Sequence, residues 1–184
     1  MRLETDQALR QALYGLYVAL FNAKKACPND FPYGRLTTIQ TAIMGIEDYG
    51  WRVVGITREA LDLLAKKDFY KNKLPRRLCR GHIRGRKETT KLLFGEENPM
   101  PLEAFFNLFL ANDQTVIMLS EQNHANPSPT YIEIDNPNAE LFSNGSLMGW
   151  KHRKKERDYL RQLHSELLES QKEPSRVGNS LPTR

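Results

Sequence analysis

The stretch Arg76-Arg77-Leu78-Cys79-Arg80-Gly81-His82-Ile83-Arg84-Gly85-Arg86-Lys87 decides how the rest of the chain is read. One histidine stands there among five arginines and a lysine, beside two glycines. Fixed positive charge disfavours a further proton on the imidazole, so His82 is expected to be mostly neutral near pH 7 and able to take a proton from water. The arginines can hold a phosphodiester beside it through paired N–H donors. Leu78 to Ile83 is a candidate strand that carries His82 at its end, and Gly85 is a turn.

Outward from this stretch, charge is laid out in blocks. From Lys66 to Lys91 there are eleven Lys and Arg against two acids, and from Leu92 to Trp150 there are eight acids and no Lys or Arg. From Lys151 to Arg161, six bases face two acids. Basic segments flanking an acidic one fit phosphate-gripping elements around a segment that attracts a divalent cation. The 184 residues suffice for one well-buried domain with a small helical extension, and the net charge of +5 points to an anionic partner. Cys27 and Cys79 are too few for a disulfide framework or a four-ligand zinc site. No signal peptide is evident after Met1, and no apolar run has the roughly 18 residues of a membrane span. A soluble, cytoplasmic protein is expected.

Along the chain, Leu9, Leu13, Leu16, Tyr17 and Leu20 recur at helical spacing and predict a helix over 5–26, capped by Thr5 or Asp6. Residues 27–34, with two prolines, read as a loop. A second helix is predicted over 37–49 with Gly50 as its C-cap, then a short β-branched segment over 51–56, then a helix starting from Thr57. The separation between the second and third helices is too long for a tight helix-turn-helix, so a packing scaffold is the expectation. Residues 89–94 read as a short return segment, 102–110 as a buried helix, and 115–119 as the best strand in the chain. Ser120 is expected to cap a short helix, 131–134 to form an edge strand, and Trp150 to about Ser170 to form a basic helix. Cations in the first turn of that helix oppose its dipole, so that end is expected to need a reason from outside the helix, such as DNA or the acidic segment. Residues 171–184 are expected to be disordered.

A strand ending in histidine, a connection, a strand and a short helix bearing an asparagine: this order resembles the His-Me finger (ββα-metal, HNH-type) nucleases. Arg80-Gly81-His82 is similar to the Arg-Gly-His core of the DNA/RNA non-specific branch, with Cys79 where that branch has aspartate. Asn112 to Asn123 is similar to the second half of an HNH domain. The resemblance covers about residues 76–126. It implies that His82 is the general base, Asn112 its orienter, and Asn123 the ligand of one Mg²⁺ or other divalent ion, with Arg80, Arg84 and Arg86 binding phosphate. Gly81 cannot supply the second acidic ligand common in HNH domains, so the ion would be held either by Asn123 plus waters, as in the Arg-Gly-His branch, or with Asp113, Glu121 or Glu88 completing the shell.

The resulting expectation is an α+β chain: a helical N-terminal region (1–70), a ββα-metal nuclease core (72–130), a C-terminal extension with the basic helix (131–170) and the tail. It would be a metal-dependent endonuclease on double-stranded DNA, of restriction or phage type, with no membrane partner. The apolar helix 5–26 could supply a homodimer interface. The rival reading is a non-catalytic nucleic-acid-binding protein, or a subunit of a nucleoprotein assembly, in which 66–91 only grips phosphate.

Overall fold

The computed structural model describes residues 6–44, 51–70, 77–125, 129–143 and 150–172. These fold as a mixed α+β chain of six α-helices and a four-stranded sheet. Helix α1 (Gln7–Ala26) opens on Asp6, whose carboxylate accepts from Leu9 N–H at 2.9 Å. The alternative cap Thr5 lies outside the described residues. Helix α2 spans Tyr33–Met44. It starts four residues before the predicted onset because Pro32, lacking an N–H, sits just ahead of the first turn, where its carbonyl accepts from Leu36. Residues 45–50, with the expected cap Gly50, lie outside the described residues.

Strand β1 (Arg52–Ile56) leads into helix α3 (Arg58–Ala65), capped by Thr57 Oγ1 accepting from Ala60 N–H as expected. Strand β2 is Leu78–His82. Residues 86–94 are not a return segment but helix α4 (Arg86–Phe94), whose buried face holds Thr89, Thr90, Leu93 and Phe94. Two adjacent threonines at its centre hide the helical period in the sequence. Helix α5 (Leu102–Asn112), strand β3 (Gln114–Leu119), a five-residue 3-10 turn at Ser120–His124 and a two-residue strand β4 (Ile132–Glu133) follow. Helix α6 (Lys154–Lys172) begins four residues after Trp150. Its partner at the basic end is internal: buried Glu156 accepts from Arg153 N–H at 2.8 Å and from Phe142 N–H at 3.4 Å. Residues 173–184, most of the expected tail, lie outside the described residues.

The sheet order is β2-β3-β1-β4. β3 pairs antiparallel with β2 and parallel with β1, and β4 lies antiparallel to β1. The sheet thus draws strands from both sides of the boundaries read at about residues 70 and 130. Two cores result. One packs Val53, Ile56 and Ile117 of the sheet under Leu61 and Leu64 of α3 and Leu160 of α6. The other is a four-helix cluster of α1, α2, α4 and α5, centred on Tyr17, Leu36, Leu93, Phe105 and Phe106. The apolar stripe of α1 packs into this cluster through Leu13, Tyr17 and Phe21, and Leu16 remains half exposed. The chain passes between the two cores at three places: from α2 to β1, from β2 to α4, and from α5 to β3. All three meet at one point.

Candidate active site at the junction of the two cores

That meeting point is polar. His82, the last residue of β2, places Nε2 3.0 Å from Oδ1 of Asp113, the residue between α5 and β3. Both side chains are buried, 8 % and 7 % exposed. A carboxylate only accepts, so Nε2 carries a proton, and in the neutral imidazole the lone pair is then on Nδ1. The other Asp113 oxygen accepts from Trp51 N–H at 2.7 Å. Trp51 lies edge-on to the His82 ring, centroids 4.6 Å apart. Its carbonyl accepts from Thr115 Oγ1 at 3.0 Å and from Arg80 Nη1 at 3.2 Å.

These bonds hold Trp51 in a left-handed conformation, φ 63°. For a residue with a Cβ that costs about 1–2 kcal/mol, and such strain persists only where the surroundings over-determine it. Arg80 and Arg86 bring their guanidinium carbons to 5.1 and 4.6 Å from the indole ring. Burial pushes the Arg80 guanidinium down to about 10, partly opposed by the nearby Asp113 carboxylate. Arg80 shares a sheet face with His82 because residues two apart on a strand point the same way, and their cross-strand partners are Ile117 and Thr115.

Of the residues singled out in the sequence, His82, Arg80 and Arg86 converge here. Asn112 reaches the same junction, but no hydrogen bond joins it to His82; the next residue, Asp113, takes that place. Arg84 is exposed and stands off the cluster. Asn123 lies on the other face of the sheet. A Cβ built on Gly81 would come within 2.6 Å of Asn123 Oδ1 and 2.7 Å of the Met118 sulfur, and Gly81 alternates with His82. His82 and Asn123 nevertheless both line one pocket, together with Val116, Met118 and Tyr131.

Among the described residues no three His, Cys, Asp or Glu side chains come together, and both Asp113 oxygens are engaged. The sequence reading counted only cations around His82 and missed the carboxylate against it. Asp113 was visible only as a candidate metal ligand, and Trp51 carried no signal beyond being a tryptophan before a short strand. No protein family matches this chain, nor does any curated protein or solved structure. No helix among the described residues is long and apolar enough to cross a membrane.

Proposed function

We propose that this protein binds nucleic acid through its exposed bases and hydrolyses the phosphodiester backbone with His82 as general base. The observation that carries this is the buried His82–Asp113 pair, braced by a strained Trp51 and flanked by Arg80 and Arg86. In such a pair the carboxylate fixes the tautomer and ring orientation and stabilises the imidazolium formed when Nδ1 takes a proton from water. Arg86, half-buried at the start of α4, is placed to hold a phosphate oxygen, and Arg84, Lys87 and Lys91 continue the basic surface outward.

The test is cleavage of supercoiled and linear DNA, then RNA, with Mg²⁺ or EDTA. His82→Ala is expected to abolish cleavage while binding persists, and Asp113→Asn, which favours the wrong tautomer, to slow it by up to about 10⁴-fold. Cleavage by His82→Ala at the wild-type rate would remove the catalytic reading. One observation favours the rival: the His82 side chain is only 8 % exposed, as a purely structural histidine would be. In that reading the chain grips phosphate without cutting it. No nucleic acid would then be cleaved under any metal, and binding would depend on Arg84, Lys87 and Lys91 alone.

A further inference from the structure

The sheet has two faces. Ile117 lies on the one packed by α3 and α6, while Val116 and Met118, opposite Gly81 and Cys79, lie on the other. On that second face an open recess of about 370 Å³, its mouth included, is lined by His82, Ile83, Val116, Met118, Asn123 and Tyr131. Two of these side chains stand out into solvent, Ile83 at 44 % and Tyr131 at 39 % exposed. A single exposed apolar residue is ordinary on a protein surface. This pair frames the same recess as the candidate general base.

Tyr131 is seated on bare backbone. A Cβ on Gly55 would run into Cδ2 of the tyrosine ring and stand 2.9 Å from Cε2, so the ring rests where a side chain on β1 would otherwise be. An exposed aromatic ring braced against a sheet is a platform on which an unpaired base can stack. The polar group on the adjoining wall is also available. Gln122 is engaged, accepting from Thr57 and from Leu119 N–H and donating to Glu59. Asn123, exposed on the 3-10 turn, forms no hydrogen bond among the described residues and can meet the edge of a base.

Charge sets the direction of a bound strand. Arg84 directly follows Ile83 and is exposed, and Lys87 and Lys91 continue from it. On the other side of Tyr131 the neighbouring groove is lined by Glu133, Asp135 and Tyr159, whose two carboxylates repel phosphate. A strand therefore runs from Tyr131 past His82 toward Arg84 and stops at the ring. A duplex stacks its bases on one another and offers the ring no base face. The His82 side chain is also only 8 % exposed, a depth that a flexible backbone reaches by bending inward. We propose that the substrate is single-stranded nucleic acid, one base stacked on Tyr131 and the adjoining phosphate beside His82, rather than the duplex expected from the sequence. This rests on the nucleic-acid reading above, and the test separates the two.

The experiment measures equilibrium binding of a labelled single strand and of a duplex of the same sequence, in the cold with EDTA. The proteins are wild type, Tyr131→Leu, which keeps an apolar cover but no ring, and Tyr131→Phe, which keeps the ring. Wild type is expected to bind the single strand about tenfold or more tighter than the duplex. Tyr131→Leu is expected to lose that preference with its duplex affinity unchanged, and Tyr131→Phe to retain it. Photocrosslinking of wild type to an iodouracil-substituted strand needs no variant, and its adduct is expected on Tyr131. Equal affinity of wild type for strand and duplex overturns the inference and leaves the phosphate grip standing. So does a preference undiminished in Tyr131→Leu, a loss that strand and duplex share equally, or an adduct found only elsewhere. If wild type binds neither strand nor duplex, the nucleic-acid reading fails and this inference with it.

Discussion

Asp113 links two elements through one side chain, accepting from His82 at one oxygen and from Trp51 N–H at the other. Removing it leaves a buried imidazole and a buried backbone donor without partners. Asp113→Ala is therefore expected to cost about 3 kcal/mol in urea unfolding, and Asp113→Asn, which keeps an acceptor, about half of that. An unchanged urea midpoint for the alanine variant would show that the pair contributes nothing to folding. The two cysteines make a second residue-scale case. Cys27 is exposed, whereas burial pushes the Cys79 thiol up, with Glu121 adding to this and a bond from Ser120 partly opposing it. At pH 8 Cys27 should react first with a thiol reagent and Cys79 should lag. Cys79 favours the fold in its neutral form. That contribution is whole below the ordinary thiol value and declines as pH rises through it toward the higher folded one. Equal labelling rates for the two thiols would contradict this.

Among the elements, the sheet holds two close approaches at glycine, one against backbone and one against movable side chains. A Cβ on Gly55 would run into the Tyr131 ring and come within 3.0 Å of the Ile132 carbonyl oxygen, which is backbone of the paired strand β4. A Cβ on Gly81 would meet only the ends of the Asn123 and Met118 side chains, which can move. Gly55→Ala should thus lower the melting temperature clearly more than Gly81→Ala, with overpacking costs of about 1–3 kcal/mol at the softer site. The reverse order would mean that β4 is not held where it is described. Strands and helices with an unbroken period were legible in the sequence: α1 from Leu13, Tyr17 and Phe21, β3 from its uninterrupted apolar run, α3 from its Thr57 cap. What was not legible depended on distant partners. Helix α4 hid behind Thr89 and Thr90, whose burial comes from packing on α2. Placing His82 on a strand end was within reach of local pattern. Its meeting with Asp113 was not, because 31 positions separate the two and only the β2–β3 register brings them together. The same register sets Asn123 against Gly81, whereas the nuclease resemblance pairs it with His82.

For the whole molecule, charge is the accessible handle. Arg84, Lys87 and Lys91 are exposed and form no ion pair among the described residues. Lys87 and Lys91 are four apart on α4 and share a face. If they contact phosphate, each neutralised contact contributes about 0.9 to the slope of log affinity against log salt. Replacing all three with glutamine is expected to flatten that slope by up to about 2.7 without shifting the melting temperature. An unaltered slope would place the nucleic acid elsewhere on the surface. Unlike these surface bases, Leu160 on α6 is fully buried against the sheet core, and its truncation to alanine should cost about 2–5 kcal/mol by the same urea measurement.

The sheet order also sets a timetable for biosynthesis. Both β1 and β2 find their partner in β3, which leaves the ribosome long after either of them. Until then two nascent strands wait with open edges; β2 lies in the segment 66–91, where eleven bases repel one another and so hold its edge apart from neighbours on other ribosomes. The cluster of α1, α2, α4 and α5, by contrast, is complete once Asn112 has been added. Nascent chains arrested just after that residue should therefore already protect the helical core from protease while leaving residues 52–56 and 78–82 open to cleavage. Extending the arrest point past Leu119 and the exit tunnel should close both sites together.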